Sequence, residues 1–272
     1  MKQLIVIFLI VFIIGIIKLK LNFKIVTVIF RKIFLLYLDT TKLAHNRKLL
    51  NLKYQENVKK VLNIYNVYPI ISGKFIKKPK IVMCNHHSFI DPAIMKYINP
   101  NILTIAKHDS NKEFFLNGML SELLRRWGTI LYKRGSKNSG TIVRKLIKYY
   151  ICHKKKSILV YPEGTTFPDG PPRKFYPGSF IVAFENNIPV QPMVIKYSQD
   201  ISWTKQGDNP TPIQLNVYKN MEKMLQSKTI ALVEILDPIY PKDFKNHDDF
   251  IKYIRLKMLK SWTNLFYKLK RI

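Results

Sequence analysis

The sequence predicts an α/β fold, a mainly parallel central sheet flanked by helices, preceded by membrane-associated helices at the amino terminus. Three observations lead there. Short β-rich runs alternate with longer helix-like segments from Tyr68 onward, and alternation of this kind implies parallel strands covered by helices. Apolar runs fill residues 4–17 and 25–38. Residues able to carry chemistry stand where apolar runs stop, the edge at which α/β sheets place their sites.

The first element is Leu4 to Ile17, apolar throughout. As a helix it would reach about 21 Å, short of the roughly 30 Å hydrocarbon core of a bilayer. A secretory signal would end in small residues, but the chain continues Lys18-Leu19-Lys20-Leu21-Asn22-Phe23-Lys24, which argues against cleavage. A second apolar segment, Ile25 to Leu38, carries Arg31-Lys32 in its middle. The pair fits a tilted signal-anchor with snorkelling lysines or a shallow hairpin in one leaflet. A helix docked on the protein's own core is disfavoured because the run is apolar on every face. The basic residues 18–32, against a single Lys2 before the run, put the following chain on the cytosolic side. Residues 1–38 are thus expected to anchor the protein to a membrane, 39–66 to form a connecting helix and 67–272 to form the main domain.

Within that domain the predicted strands are Tyr68 to Ser72, Lys80 to Cys84, Ile102 to Ala106, Thr129 to Tyr132, Ser157 to Tyr161 and Val190 to Tyr197. Gln214 to Tyr218 and Ile230 to Ile235 read as later strands. The clearest helices are Ala93 to Ile98, Lys112 to Trp127, Thr141 to His153 and Asp248 to Leu269. No internal repeat or second domain is evident.

A net charge of +29, from 46 Lys plus Arg against 17 Asp plus Glu, gives a surface that attracts anions. The cations are spread along the chain with no zinc finger, helix-turn-helix or RNA-binding aromatic motif to focus them, so no specific nucleic acid partner is expected. Two cysteines in 272 residues exclude a disulfide framework. Cys84 ends an apolar run and reads as a small buried residue rather than a nucleophile.

The motif Asn85-His86-His87-Ser88-Phe89-Ile90-Asp91 puts a base and a possible orienting carboxylate just past a strand. Asp91-Pro92 also reads as a helix start, Asp as N-cap and Pro at the first helical position. Three further segments follow: Gly128 to Arg134, Tyr161-Pro162-Glu163-Gly164-Thr165-Thr166, and Ile188-Pro189-Val190-Gln191-Pro192. In this order the four resemble the blocks of the glycerolipid acyltransferase family, the 1-acyl-sn-glycerol-3-phosphate O-acyltransferases and their relatives, from about Val67 to Tyr197. Pro171 to Phe180 resembles the family's basic-then-Gly segment leading into a helix.

The resemblance implies that residues 67–272 are an acyltransferase domain, with His86 as general base and Asp91 as its partner. Histidine's ordinary pKa near 6.5 suits removal of a hydroxyl proton. His87 is the adjacent alternative, and Ser88 need not be catalytic because the substrate's hydroxyl is the nucleophile. The resemblance assigns Glu163, Gly164 and Thr165 to the acceptor, Arg134 to its phosphate with Lys133 as helper, and Gly128 and Lys107 to the same site. Thr166 stands where relatives commonly have Arg. The implied partners are membrane lipid, a lysophospholipid acceptor and acyl-CoA or acyl-carrier protein as cosubstrate, with no cofactor. No His, Cys and carboxylate grouping has metal-ligand spacing. The expected acceptor is 1-acylglycerol 3-phosphate, with glycerol 3-phosphate, another lysophospholipid or a lyso-aminolipid as alternatives. A non-catalytic basic membrane tether is the competitor, but it has no use for His86, Asp91 and Glu163 at strand ends.

Overall fold

The computed structural model describes residues 47–108, 125, 128–133, 139–166, 170–202, 220 and 222–271. Helix α1 (Arg47–Ile64) turns Val58 and Leu62, one helical turn apart, into the core. Asn66, at φ +49, ends it in the left-handed region, which asparagine tolerates better than most residues, and its side chain donates to the Leu225 carbonyl at 3.0 Å. The chain then enters β1 (Val67–Ser72) and β2 (Ile81–Cys84), followed by α2 (Asp91–Ile98), β3 (Leu103–His108) and β4 (Thr129–Lys133). After these come α3 (Ser139–Lys148), β5 (Ile158–Val160), α4 (Gly178–Glu185), β6 (Val190–Tyr197), β7 (Thr229–Ile235) and α5 (His247–Leu269).

The strands form one sheet in the order β1-β7-β6-β2-β5-β3-β4. All neighbours are parallel except β6 and β7, so β6, β2, β5, β3 and β4 run one way and β7 with β1 the other. The expected mainly parallel sheet is present, with the late strand at Ile230 to Ile235 reversed against β6. In β2 every residue is buried, as a central parallel strand covered on both faces requires. Its side chains alternate: Val82 and Cys84 pack with Val58, Leu62 and Ile94 on one face. Ile81 and Met83 pack with Phe180, Phe250, Ile254 and Met258 on the other. α1 and α2 thus cover one side of the sheet while α4 and α5 cover the other.

The helix predicted from Thr141 to His153 begins at Ser139 and changes at Tyr149–His153 into a π-helical turn, a wider winding that sequence periodicity does not reveal. The predicted helix Lys112 to Trp127, for all but Arg125, and the strand Gln214 to Tyr218 lie outside the described residues. So does the expected anchor, residues 1–38. Among the described residues no helix is long and apolar enough to cross a membrane.

Candidate active site

β2 and β5 are parallel neighbours, so their carboxyl ends share one edge of the sheet. The chain between β2 and β3 must cross over β5, which opens the crevice that such crossings create. Asn85 ends β2 by replacing a backbone rung: its Oδ1 accepts from the Ile195 N–H and its Nδ2 donates to the Ile195 carbonyl, both at 2.8 Å. That clamp to β6 fixes the point from which His86 departs.

His86 Nδ1 lies 2.7 Å from Asp91 Oδ2. The same oxygen accepts the backbone N–H groups of His87 at 2.8 Å and Ser88 at 2.9 Å. Tyr197, on β6, donates its hydroxyl to Asp91 Oδ1. Asp91 therefore does not cap α2 in the way its place before Pro92 suggests. It opens the helix with the chain at Ile90 already helical and no side-chain cap, and its carboxylate points back to gather the histidine loop. Burial alone would push this carboxyl up, but the His86 hydrogen bond, the two histidine charges and the Tyr197 donor together hold it below the ordinary Asp value. An ionised Asp91 keeps the proton on His86 Nδ1 and leaves Nε2 as the basic nitrogen.

Tyr161 stacks on the His86 ring at 3.9 Å between centroids and 15° between planes, which fixes the imidazole from its face. Burial, with the negative charges of Asp91 and Glu163 adding to it, pushes the Cys84 thiol well up, so it is inert at neutral pH, in keeping with its reading as a buried residue. No role for Tyr197 or Asn85 stood out in the sequence. Their partners are 106 and 110 residues away along the chain, so no local spacing could have shown them.

Glu163 is 3% exposed. One of its oxygens accepts from the His86 backbone N–H at 3.1 Å and the other from the Arg173 N–H at 2.8 Å. Its carboxylate thus ties the β2 end, the β5 end and the segment before α4 together. The sequence suggested a contact with acceptor hydroxyls; the structure places both oxygens on the protein's own backbone. Gly164 follows at φ +71, and a Cβ there would lie 2.9 Å from the Tyr176 ring, so glycine is required twice over.

A cavity of about 710 Å³ opens beside His86, walled by Phe89, Pro92, Ile105, Ala106, Val143 and Val160, with Thr165 and Thr166 also in its lining. Lys107 lies on β3 in register with Tyr132 of β4, which also lines the cavity. Gly128 does not join this site. It precedes β4, at the opposite end of the strand, where its carbonyl accepts from the Thr104 N–H and a Cβ would meet Lys96 Nζ at 3.1 Å. Arg134 lies outside the described residues. No group of His, Cys, Asp and Glu among the described residues could hold a metal ion.

Residues 50–196, which contain this site, match the family model described as Acyltransferase. The chain belongs to the acyltransferase family. A lyso-ornithine lipid O-acyltransferase of Pseudomonas aeruginosa is 30% identical over 130 residues, 48% of this chain and 48% of that protein. A 1-acyl-sn-glycerol-3-phosphate acyltransferase of Cocos nucifera is 23% identical over 180 residues, 64% of this chain and 57% of its own. The chain spans about half the length of the curated relatives it matches. The crystal structure of the 1-acyl-sn-glycerophosphate acyltransferase PlsC from Thermotoga maritima shares the fold, with a TM-score of 0.57 at 19% identity over 97% of this chain and 98% of that one.

Proposed function

We propose that this protein transfers a fatty acyl group from acyl-CoA or acyl-carrier protein to the hydroxyl of 1-acylglycerol 3-phosphate, giving phosphatidic acid. The observation that carries the reading is His86, hydrogen-bonded at 2.7 Å to a buried Asp91 and opening on a largely apolar cavity. His86 Nε2 takes the hydroxyl proton as the acceptor oxygen attacks the thioester carbonyl, and Asp91 stabilises the imidazolium that forms. The new C–O bond replaces the C–S bond, and the departing thiolate recovers the proton from His86. Ser88 is buried and engaged in the loop's own hydrogen bonding, which agrees with direct transfer and no acyl-enzyme. In this reading Arg134 and Lys107 supply charge to the acceptor's phosphate, Gly164 and Thr165 border it, and Glu163 positions His86.

A second acceptor class, a lysolipid with an amino acid headgroup, is favoured by the similarity to the Pseudomonas aeruginosa protein. Residues 1–38 hold the protein to the membrane in which such acceptors reside, with the site facing the cytosol. An assay of purified protein with labelled acyl donors against a panel of lysolipids tests the reaction and the acceptor together. His86→Ala should lose roughly a hundred- to ten-thousandfold in turnover while retaining its circular dichroism spectrum. Near-normal turnover in that variant would overturn the mechanism, and His87→Ala, the adjacent comparison, should be milder.

A further inference from the structure

Among the described residues lining the cavity there is no aspartate or glutamate and a single Lys or Arg, Arg144 of α3. Its guanidinium Nη2 donates to Thr141 Oγ1 at 3.3 Å, and no carboxylate among the described residues neutralises it. α3 packs against α4, whose first residues Gly178 and Ser179 line the same cavity. α4 begins at Pro177 with no side-chain cap, so the N–H groups of its first turn have no side-chain acceptor. Ser179 is 9% exposed and lines the cavity, so its hydroxyl is placed to meet a ligand there. A Cβ at Gly178, or at Gly140 in the first turn of α3, would meet nothing within 4 Å.

Among the described residues, a cation with no carboxylate beside it, a helix start with no side-chain cap and a serine hydroxyl meet on one cavity, and each is suited to an anionic oxygen group. We propose that Arg144, with Ser179 and the first N–H groups of α4, forms the seat for the anionic headgroup of the acyl acceptor. This rests on the acyltransferase reading, in which Arg134 and Lys107 also supply charge to the acceptor, and adds Arg144, which no sequence block pointed to. Ile105, Ala106 and Val143 give the same cavity an apolar lining, so a lysolipid held there can place its hydroxyl at His86 while its charge rests on α3 and α4.

The test is equilibrium binding to the His86→Ala protein in detergent, with and without Arg144→Gln or Ser179→Ala. The ligands are 1-acylglycerol 3-phosphate, a lyso-ornithine lipid whose anion is a carboxylate, uncharged monoacylglycerol, and coenzyme A. Arg144→Gln should raise Kd for at least one of the two anionic lysolipids roughly tenfold to a hundredfold, and Ser179→Ala should raise it by a smaller factor. Monoacylglycerol and coenzyme A should bind as before, and Lys145→Gln on the exposed face of α3 should change nothing. Unaltered binding of both anionic lysolipids, an equal loss for monoacylglycerol, or a loss confined to coenzyme A would each overturn the proposal. Failure of the Arg144-containing wild-type protein to transfer acyl groups would instead overturn the acyltransferase reading and leave the binding result standing.

Discussion

The donors around Asp91 divide its carboxylate between two tasks. Oδ2 orients His86 and tightens the loop through the His87 and Ser88 N–H groups, while Oδ1 takes the Tyr197 hydroxyl from β6. Burial pushes the Tyr197 phenol far up, so it remains a donor at any working pH. Because the Asp91 pKa is lowered from 3.8, its contribution to stability is fully present above about pH 4 and is lost as pH falls through the folded value. Tyr197→Phe removes one donor to the anion and should move the acid-unfolding midpoint to higher pH, followed by circular dichroism. Turnover should fall about tenfold with little change in acceptor KM, since the base is loosened and not removed. An unchanged midpoint with unchanged turnover would mean that Tyr197 does not hold Asp91.

At the scale of elements, two junctions fix where the strands end. The turn after β5 depends on Gly164, where any other residue meets both a positive φ and the Tyr176 ring. Gly164→Ala should cost on the order of 1–3 kcal/mol in urea unfolding and displace Thr165 from the cavity lining. At the other end of the sheet, Lys96 of α2 is 4% exposed and donates to the Ile102 carbonyl ahead of β3, beside Gly128 ahead of β4. Burial pulls its pKa from 10.5 down to about 8. Between those values the unfolded chain holds the proton and the folded one does not, so stability should rise with pH across that window. The full rise would be about 3 kcal/mol. Lys96→Met should abolish it, as urea unfolding at pH 7.5 and pH 10 would show; persistence of the rise would assign it to another group.

For the whole molecule, the net charge of +29 draws the protein to anionic surfaces but is screened by salt. Apolar insertion, which we propose for residues 1–38, is not. The full chain should therefore stay with membranes in high salt, whereas a truncated chain starting at Thr40 should be released. Equal retention of the two at high salt would locate the lipid-facing surface elsewhere.

Much of the fold was legible in the sequence because its signals are local. Apolar runs of strand length, broken by Asn85, Pro162 and Gly164, gave β2, β5 and the carboxyl edge of the sheet. His86 and Asp91 stand five positions apart, and the family resemblance paired them as base and partner. The direction of β7 and the contacts of Gly128 with Lys96 and Leu103 follow from neighbours distant in the chain. Asp91 shows the division most clearly. Its position before Pro92 reads locally as a helix cap, and only the approach of Tyr197 and the folding back of His86 turn its carboxylate into the orienter of the His86 ring. Sequence by itself determined which residues could do chemistry; packing across the sheet decided which of them meet, because hydrogen bonds between distant segments exist only once those segments are buried together.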